Sequence, residues 1–507
     1  MIVLLTLAAT AIAIIFRHAL LRWRYRARAR SLGCQPIRYY PHWDPVFGTD
    51  VLFGTIINML LKRKPPQNVF WDEPPYGKTY ATLNQGRDWI TTVEPENIEA
   101  IFGKAVSLTG DDGIKGSRTE EVWGNAPLRS VMEPFCGKGF ITTDGKEWQH
   151  YRNLLKPSFV KANVSEMSWF KAAASDFVAN LPKNNQTVDM SQRLDQFFLN
   201  VSLNFLLGIR KEQESTAMDQ LAVEEFLQAF HEAEMGAGMR VFFGRLGPLL
   251  PRKKWMQVCE KVHSFVDGRV RQAMQSQQPY PPSAKPIKSL LHNLTTQTSD
   301  VQEIRSQVIH GIMASQDTTS VLLSNTIFLL SRHAWAWDHL RSEIKGIPPE
   351  YWTFEALLNF KPVRNILFET LRLYPVFRIL GRQALQDTVI PLGGGKSGTH
   401  PVFVARGSSV AANIFPLHRN KHIFGEDVGS FRPARWEAIR PKRWEFLPFG
   451  GGQRQCVGKD KALAEASYML VLLASQLTAI QSRDDRDWTP QVKLTVRNAN
   501  GSLVALG

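Results

Sequence analysis

Cysteine is scarce in this chain, and its spacing excludes several kinds of protein. The 507 residues contain four cysteines, and no two of them form a C-x-x-C pair. A zinc ribbon and a thioredoxin-type redox motif are therefore excluded. Four cysteines in a chain of this length do not make a disulfide scaffold, which is typical of a reducing compartment.

Internal repeats are absent as well, and the composition is that of an ordinary globular protein, with 44% hydrophobic and 21% charged residues. This balance excludes a disordered chain, a collagen and a coiled coil. Six of the +15 net charges belong to the arginines of residues 1–30, and the +9 of the remaining chain is too dispersed to indicate a nucleic-acid partner. The polar, Pro-rich residues 275–286 are predicted to form a surface loop rather than a domain linker.

Acidic residues are missing from residues 1–30, where an apolar segment precedes six arginines. The apolar segment reaches about the 17–25 residues that cross a bilayer. Its positive charges follow it instead of preceding it, which favours an uncleaved anchor over a cleaved signal peptide and places the rest of the chain in the cytosol. We predict a single-pass transmembrane anchor over 1–21, a basic, Pro-containing linker over 22–45 and a globular domain over 46–507.

Hydrophobic periodicity predicts a mainly helical domain with small β-sheets. Asp300 followed by Glu303 is typical of a helix start, and the helical pattern then continues unbroken to about Arg332. At 1.5 Å per residue such a helix spans about 50 Å. Residues 89–93 have the composition of a strand, and a last helix is predicted to begin at about Cys456.

Residues 449–458 carry the most specific pattern in the chain, F-x-x-G-x-R-x-C-x-G. Its glycines, which include Gly458, allow a tight loop and close approach of the backbone to a flat cofactor. Backbone N–H groups and the N-terminus of the next helix favour a thiolate at Cys456, which can then be an axial ligand to haem iron. Arg454 can bind a haem propionate, and Phe449 can shield the sulfur. A buried structural cysteine is the alternative, and agreement at five positions makes it the weaker one.

With this loop, the chain resembles the cytochrome P450 family of haem-thiolate monooxygenases over essentially its whole length. The resemblance implies the cytochrome P450 fold, mainly α with small β-sheets, preceded by an N-terminal transmembrane helix. It also implies haem b, with its iron held by the Cys456 thiolate, in a catalytic domain over residues 46–507.

Glu369 and Arg372 match the family's E-x-x-R pattern. Their spacing of three residues places both side chains on one helix face. The resemblance implies that Arg435 joins them from a later loop, so that one carboxylate between two guanidiniums supports the cysteine loop. An ordinary surface pair is the alternative.

Residues 314–319 resemble the family's A-G-x-D-T-T pattern and lie midway along the long predicted helix. The resemblance implies that Thr318 and Asp317 are catalytic residues that supply protons to dioxygen. Ser315 stands where the family has glycine, and Ala314 is a weak candidate for the substrate channel. The alternative, an N-cap of a second helix, is disfavoured by the apolar residues before it.

Three more residues are candidates for binding haem propionates. Trp148 and Arg152 fit a W-x-x-x-R pattern, which puts the indole and the guanidinium on one helix face, although an ordinary amphipathic pair would look the same. The resemblance adds Arg382. Arg378 interrupts an apolar loop, and we hypothesise that it binds a substrate carboxylate; the alternatives are a propionate or solvent.

Several short segments, including Asp387-Thr388 and the FRPARW sequence at residues 431–436, resemble the fungal branch of the family that hydroxylates n-alkanes and fatty acids. That branch also contains secondary-metabolite enzymes. The implied reaction is hydroxylation of a C–H bond in a long aliphatic or lipophilic substrate, with O2 and electrons from NADPH.

Because no flavin or nicotinamide domain follows residue 507, electrons are expected from a partner. The resemblance implies a membrane-bound NADPH–cytochrome P450 reductase, with cytochrome b5 as an additional partner, at the endoplasmic reticulum membrane. Two other classes stay open. A haem-thiolate isomerase or dehydratase needs no reductase, but the intact Asp317-Thr318 pair argues against it, and a haem-binding sensor would not need Thr318.

Overall fold

The computed structural model describes residues 2–61, 75–103, 105–107, 115–117, 122–209, 217–275 and 289–507. The helices are α1 Ile2–Ser31, α2 Thr49–Leu60, α3 Pro95–Phe102, α4 Ala126–Cys136, α5 Gly145–Phe159, α6 Lys161–Val164, α7 Ser168–Ala179, α8 Met190–Leu207, α9 Ala217–Phe243, α10 Lys253–Gln275, α11 Leu290–Thr295, α12 Val301–Ser315, α13 Thr318–Leu330, α14 Ala334–Ile344, α15 Phe354–Asn359, α16 Lys361–Leu373, α17 Ile414–Leu417, α18 Lys421–Phe424, α19 Arg435–Ala438 and α20 Lys459–Gln476. Short 3-10 turns cover Gly244–Leu249, Pro349–Tyr351 and Gly452–Arg454. The strands are β1 Thr79–Asn84, β2 Arg87–Thr92, β3 Ala105–Ser107, β4 Lys115–Ser117, β5 Trp123–Gly124, β6 Val188–Asp189, β7 Ile379–Ala384, β8 Thr388–Gly394, β9 His400–Val404, β10 Ser409–Asn413, β11 Ile480–Ser482, β12 Pro490–Val492, β13 Val496–Asn498 and β14 Leu503–Leu506. A mainly helical chain with small sheets is thus confirmed.

The chain divides into two compact units, of which the first contains most of the sheet structure. It comprises Met1–Asn125, Arg378–Glu426 and Pro441–Gln455. Its five-stranded sheet has the order β1-β2-β10-β7-β5, in which β10 runs parallel to β2 and the other neighbours are antiparallel. Buried side chains of this sheet pack with those of α3 into one apolar core, because alternate residues of a strand face the same side.

Helix α1 continues to Ser31, so the first ten residues of the predicted linker are helical. Arg22 Nη2 forms an ion pair with Asp88 Oδ1 at 2.8 Å, and the ring of Tyr25 lies 6.0 Å from that of Phe403. These contacts attach the C-terminal half of the helix to strands of the first unit. Among the helices of the described ranges, none combines the length and the apolar character needed to cross a membrane.

The second unit is mostly helical and comprises Ala126–Phe377, Asp427–Arg440 and Cys456–Gly507. Its core is formed by side chains from α4, α5 and α8–α12. Helix α20 is buried almost continuously over residues 463–474, and it contacts α7, α14 and α15, among other helices. This continuous burial makes α20 a fixed element that begins three residues after Cys456.

The long helix predicted after Asp300 is interrupted. Asp300 does cap α12, since its carboxylate accepts hydrogen bonds from the next amides, but α12 ends at Ser315 and α13 begins at Thr318. The prediction of an unbroken helix is therefore wrong. Asp317 occupies the N-cap position of a second helix, which is the alternative that the sequence analysis disfavoured.

A side-chain hydrogen bond accompanies the interruption. The hydroxyl Oγ1 of Thr318 donates to the carbonyl oxygen of Ala314 at 3.2 Å, an acceptor that a continuous helix would give to the amide four residues later. Short polar side chains compete in this way with backbone hydrogen bonds. Apolar periodicity runs through the interruption on both sides and so conceals it.

Two other boundaries differ from expectation. The last helix begins at Lys459, three residues after Cys456, because the Gly-rich loop continues past the cysteine. The predicted surface loop over 275–286 lies outside the described residues, apart from Gln275 at the end of α10.

Candidate haem-thiolate site

The sequence-predicted site residues belong to both compact units. The first unit contains Arg378, Arg382, Phe449 and Arg454, and the second contains Ala314, Trp148, Arg152, Asp317, Thr318, Glu369, Arg372, Arg435, Cys456 and Gly458.

Cys456 differs from the other cysteines in its exposure. Cys34, Cys136 and Cys259 are buried, whereas Cys456 is exposed. Burial among apolar neighbours raises the pKa of Cys136 and of Cys259 to about 12, which keeps these two thiols protonated and inert.

The surroundings of Cys456 combine opposing effects on its thiol. The protein around it raises its pKa by desolvation, which is the largest cause, while a backbone hydrogen bond from Gly458 and the charge of Arg152 lower it. Cys456 is thus exposed and yet has much protein nearby.

This arrangement fits a thiolate ligand to haem iron. An N–H donor at Gly458 and a guanidinium at Arg152 both stabilise negative charge on the sulfur. Lys459 acts in the same direction, and Asp460 opposes it. A metal cation bound to the sulfur would supply the remaining stabilisation, since a coordinating thiol is deprotonated outright.

Helix α5 carries Trp148 and Arg152 on one face. Trp148 is 5% exposed, while Arg152 is half-buried. Desolvation lowers the pKa of Arg152, and the charge of Cys456 partly offsets it. The guanidinium is therefore close enough to the cysteine for each group to influence the other.

Glu369 lies at the centre of a buried ion-pair cluster. Its carboxylate accepts two hydrogen bonds from Arg372, at 2.9 Å and 2.8 Å, and one from Arg435 at 3.3 Å. All three side chains have no exposed area. The indole of Trp436 and the backbone amide of Arg432 also donate to this carboxylate. Five donors on two oxygens satisfy a charge that burial would otherwise make costly.

The cluster extends to the loop before Arg435. Arg372 donates to the carbonyl oxygens of Val428 and Ser430, and Arg435 donates to Asp427 Oδ1 at 2.7 Å. The hydrogen bond from Arg435 is the largest cause that holds the pKa of Asp427 below its usual value. Helix α16 and the segment 427–436 are thereby tied together.

An exposed residue lies at the interruption between α12 and α13, between two mostly buried runs. Residues 304, 306–313 and 319–330 are buried, while Ala314 is exposed. The hydroxyl of Ser315 is buried and has no hydrogen-bond partner within the described part of the chain. The exposed Ala314 and the hydroxyl of Thr318 are thus neighbours at the interruption, since that hydroxyl donates to the Ala314 carbonyl oxygen.

The sequence analysis missed the partners of Asp317. Arg497 of β13 places Nη2 3.4 Å from Asp317 Oδ2, and its Nη1 lies 2.6 Å from Asp195 of α8. Burial raises the pKa of Asp317 as the largest cause, and Arg497 opposes it. Arg497 lies in the last short strands of the chain, in no pattern that the sequence analysis singled out.

In the first unit, the segment that leads to Phe449 is fixed by a buried histidine. His418 is fully buried, and its Nε2 accepts a hydrogen bond from the Leu447 amide at 2.9 Å. The next turn needs glycine at Gly452, where φ is +69° and a Cβ atom would lie 1.7 Å from the Phe102 carbonyl oxygen. The pattern of glycines therefore has a steric origin.

The arginines of the first unit lie near the same elements. The guanidinium of Arg382 is 4.8 Å from the centre of the Phe102 ring, and Arg454 ends the turn that begins at Gly452. Arg378 is half-buried; desolvation lowers its pKa, and Tyr80 opposes this.

Comparison with known proteins identifies the class. The family model for cytochrome P450 matches residues 51–503. The chain is 32% identical to cytochrome P450 monooxygenase himC of Aspergillus japonicus, over 98% of this chain and 88% of that protein. It is 29% identical to cytochrome P450 monooxygenase tenA of Beauveria bassiana, over 99% and 97% of the two chains. The crystal structure of a cytochrome P450 heme domain shares the fold, with a TM-score of 0.68 and 19% identity over 94% of this chain and 98% of the other.

The chain belongs to the cytochrome P450 family. It is an oxidoreductase of the monooxygenase class, and the family uses haem with thiolate-ligated iron. Enzymes of this family generally receive electrons from redox partners such as reductases. The family resemblance and the cofactor predicted from the sequence are confirmed.

Proposed function

We propose that this enzyme hydroxylates a C–H bond of a long aliphatic or lipophilic substrate, with a fungal secondary metabolite preferred over an alkane or a fatty acid. The similar proteins from Aspergillus and Beauveria are named as monooxygenases, and the branch implied by the sequence includes secondary-metabolite enzymes. The observation that carries the reaction type is the Asp317-Thr318 pair at the helix interruption, beside the exposed Ala314.

The proposal assigns haem binding to residues named from the sequence. Cys456 would ligate the iron, Phe449 would shield the sulfur, and Trp148, Arg152, Arg382 and Arg454 would hold the propionates. The haem, when bound, supplies the activation of dioxygen. Gly458 stabilises the thiolate through its N–H group, and the Glu369–Arg372–Arg435 cluster keeps the scaffold of the cysteine loop in place.

The protein's own contribution to the reaction is proton supply. Monooxygenation consumes two protons for every O2 reduced, and a buried site must obtain them through its side chains. Thr318 holds a hydroxyl proton at the helix interruption, and Asp317 connects it to the polar network of Arg497 and Asp195. An isomerase or dehydratase of the same class has no need of such a supply.

Asp317→Asn is expected to lower the rate of product formation about a hundredfold, within the range typical for loss of a general acid–base group. The amide retains a hydrogen bond to Arg497 but carries no proton for transfer. NADPH oxidation should continue, with electrons lost to hydrogen peroxide. The measurement is product and peroxide per NADPH consumed. Asp338→Asn, at an exposed position of α14, is the control and should behave as the wild type; an Asp317→Asn enzyme that also keeps wild-type coupling would contradict the role.

Arg378 offers a test of the substrate class. If it faces the channel, Arg378→Ala should weaken binding of a lipophilic acid at least tenfold and leave its methyl ester unaffected, since truncating one partner of a buried charge pair typically costs about 2–5 kcal/mol. Binding is measured as the low-to-high-spin shift of the Soret band. Arg378→Lys, which keeps the charge, should retain part of the preference, and the exposed Arg406→Ala should change nothing. Equal affinity of the Ala variant for acid and ester, with the wild-type acid affinity retained, would contradict the assignment.

The anchor over residues 1–21 and the location at the endoplasmic reticulum membrane are part of the same proposal. Six arginines without any acidic residue follow the apolar segment, which suits an anionic cytosolic membrane surface. The proposed electron donor is an NADPH–cytochrome P450 reductase, with cytochrome b5 as an additional donor. Lys459, next to the cysteine loop, is a candidate contact for an acidic partner, whereas the mostly buried Lys461 is paired with Glu465.

A further inference from the structure

Helix α9 carries a carboxylic acid beside the interruption between α12 and α13. The amide nitrogen Nε2 of Gln316 donates to Oε2 of Glu234 at 2.8 Å. The other oxygen, Oε1, is buried and accepts no hydrogen bond from the residues that the structure describes. Gln316 directly precedes Asp317, so Glu234 is joined to the segment that carries the acid–alcohol pair.

This geometry favours the protonated form of Glu234. An ionised carboxylate would keep a buried, charged oxygen without a donor, whereas the same oxygen in a neutral carboxyl costs less to bury. Because Oε2 of Glu234 accepts the hydrogen bond from Gln316, we place the proton of the neutral carboxyl on Oε1. Desolvation, the largest cause, and the nearby charge of Asp317 raise the pKa of Glu234 to about 7, against the lowering effects of Gln316 and Lys493.

Asp317 has different surroundings, although it is also desolvated. It faces the guanidinium of Arg497, and Lys493 and His231 also favour its charged form, while Asp195 disfavours it. A guanidinium favours the charged form of a neighbouring carboxyl, which a neutral amide does less. Asp317 is thus paired with a guanidinium, whereas Glu234 is paired with a neutral amide.

We propose that Glu234 is a positioning residue that stores a proton for the Asp317-Thr318 pair. Only O–H bonds change in this role: the O–H bond of Glu234 breaks and a new one forms on the Asp317 carboxylate, which passes the proton on through Thr318, and Glu234 recovers a proton from water. The inference depends on the proton-supply role proposed above for Asp317 and Thr318.

Infrared spectroscopy of the resting haem-loaded protein tests directly whether the Glu234 carboxyl holds a proton, and it needs no turnover. The spectrum of Glu234→Gln is subtracted from that of the wild type, which cancels the bands of the haem propionates. The difference should contain the C=O band of a protonated carboxyl. The band should decline as pH rises, with a midpoint near 7. Absence of this band, or a midpoint in the ordinary range of glutamate near pH 4, would overturn the inference.

The pH profile of coupling tests the use of the stored proton. As the pH rises from one unit below the midpoint to one unit above it, the protonated fraction of Glu234 falls about tenfold. Product formed per NADPH by the wild type should fall across the same range. Glu234→Gln should lose this pH step and behave at all pH values like the wild type at high pH, whereas Glu234→Asp should keep a step.

The matched control is Glu232→Gln, an exposed acid on the same helix, which should retain the wild-type profile. A wild-type pH step in Glu234→Gln would overturn the positioning role, even with the infrared band present. Failure of the underlying proposal looks different, because in that case Asp317→Asn would also remain coupled.

Discussion

Cys456→Ser is expected to remove the Soret signature of thiolate-ligated haem from the purified protein. A serine hydroxyl stays protonated where a cysteine thiol loses its proton on binding metal, so the iron loses its anionic sulfur ligand. The absorption spectrum of the reduced carbon monoxide complex reports this change, and monooxygenase activity should fall below detection.

Cys34→Ala is the matched control for this experiment. Cys34 is buried in a small cluster of the first unit with Val389, and its pKa, raised by desolvation to about 11, makes it a poor ligand. This variant should keep the full thiolate spectrum. A thiolate spectrum in Cys456→Ser would mean that another cysteine holds the iron, and the account of the site would be wrong.

The second large effect concerns stability. Glu369→Ala removes the carboxylate that two fully buried guanidiniums share, and leaving such charges without a partner typically costs about 3–5 kcal/mol. The variant should unfold at a much lower guanidinium chloride concentration than the wild type and should lose haem readily. The midpoint of denaturant unfolding and the haem content after purification are the measurements.

An exposed ion pair provides the control for the loss of stability expected in Glu369→Ala. Lys161 and Glu355 are 2.8 Å apart, with side chains 68% and 50% exposed, and pairs of this kind contribute little. Glu355→Ala should leave the unfolding midpoint unchanged. Similar stability of the two variants would show that the Glu369 cluster does not support the fold.

The sequence predicted best what depends on local spacing. Glu369 and Arg372 lie three residues apart on one helix, so their contact follows from helix geometry, and Trp148 and Arg152 share one face of α5 for a similar reason. The Gly-rich loop was equally predictable from the sequence, because the close approach of Gly452 to the Phe102 carbonyl oxygen leaves no space for a side chain.

Contacts between distant parts of the chain could not be predicted in this way. Gln316 and Glu234 are 82 positions apart, and Arg497 and Asp195 are 302 positions apart. No periodicity links such pairs, since the fold alone brings them together. The sequence analysis missed the helix interruption at Asp317 for another reason: the apolar pattern continues on either side of it.

The most direct test of the central claim follows the oxygen atoms of a converted substrate. The haem-loaded protein is screened by Soret shift against fatty acids, their methyl esters, alkanes and lipophilic fungal metabolites. Each ligand that shifts the spectrum is then incubated with an NADPH–cytochrome P450 reductase under ¹⁸O₂. The account predicts a product that carries one ¹⁸O atom and forms only when NADPH is present. A product that forms without NADPH and without ¹⁸O would contradict it and would identify an isomerase or dehydratase.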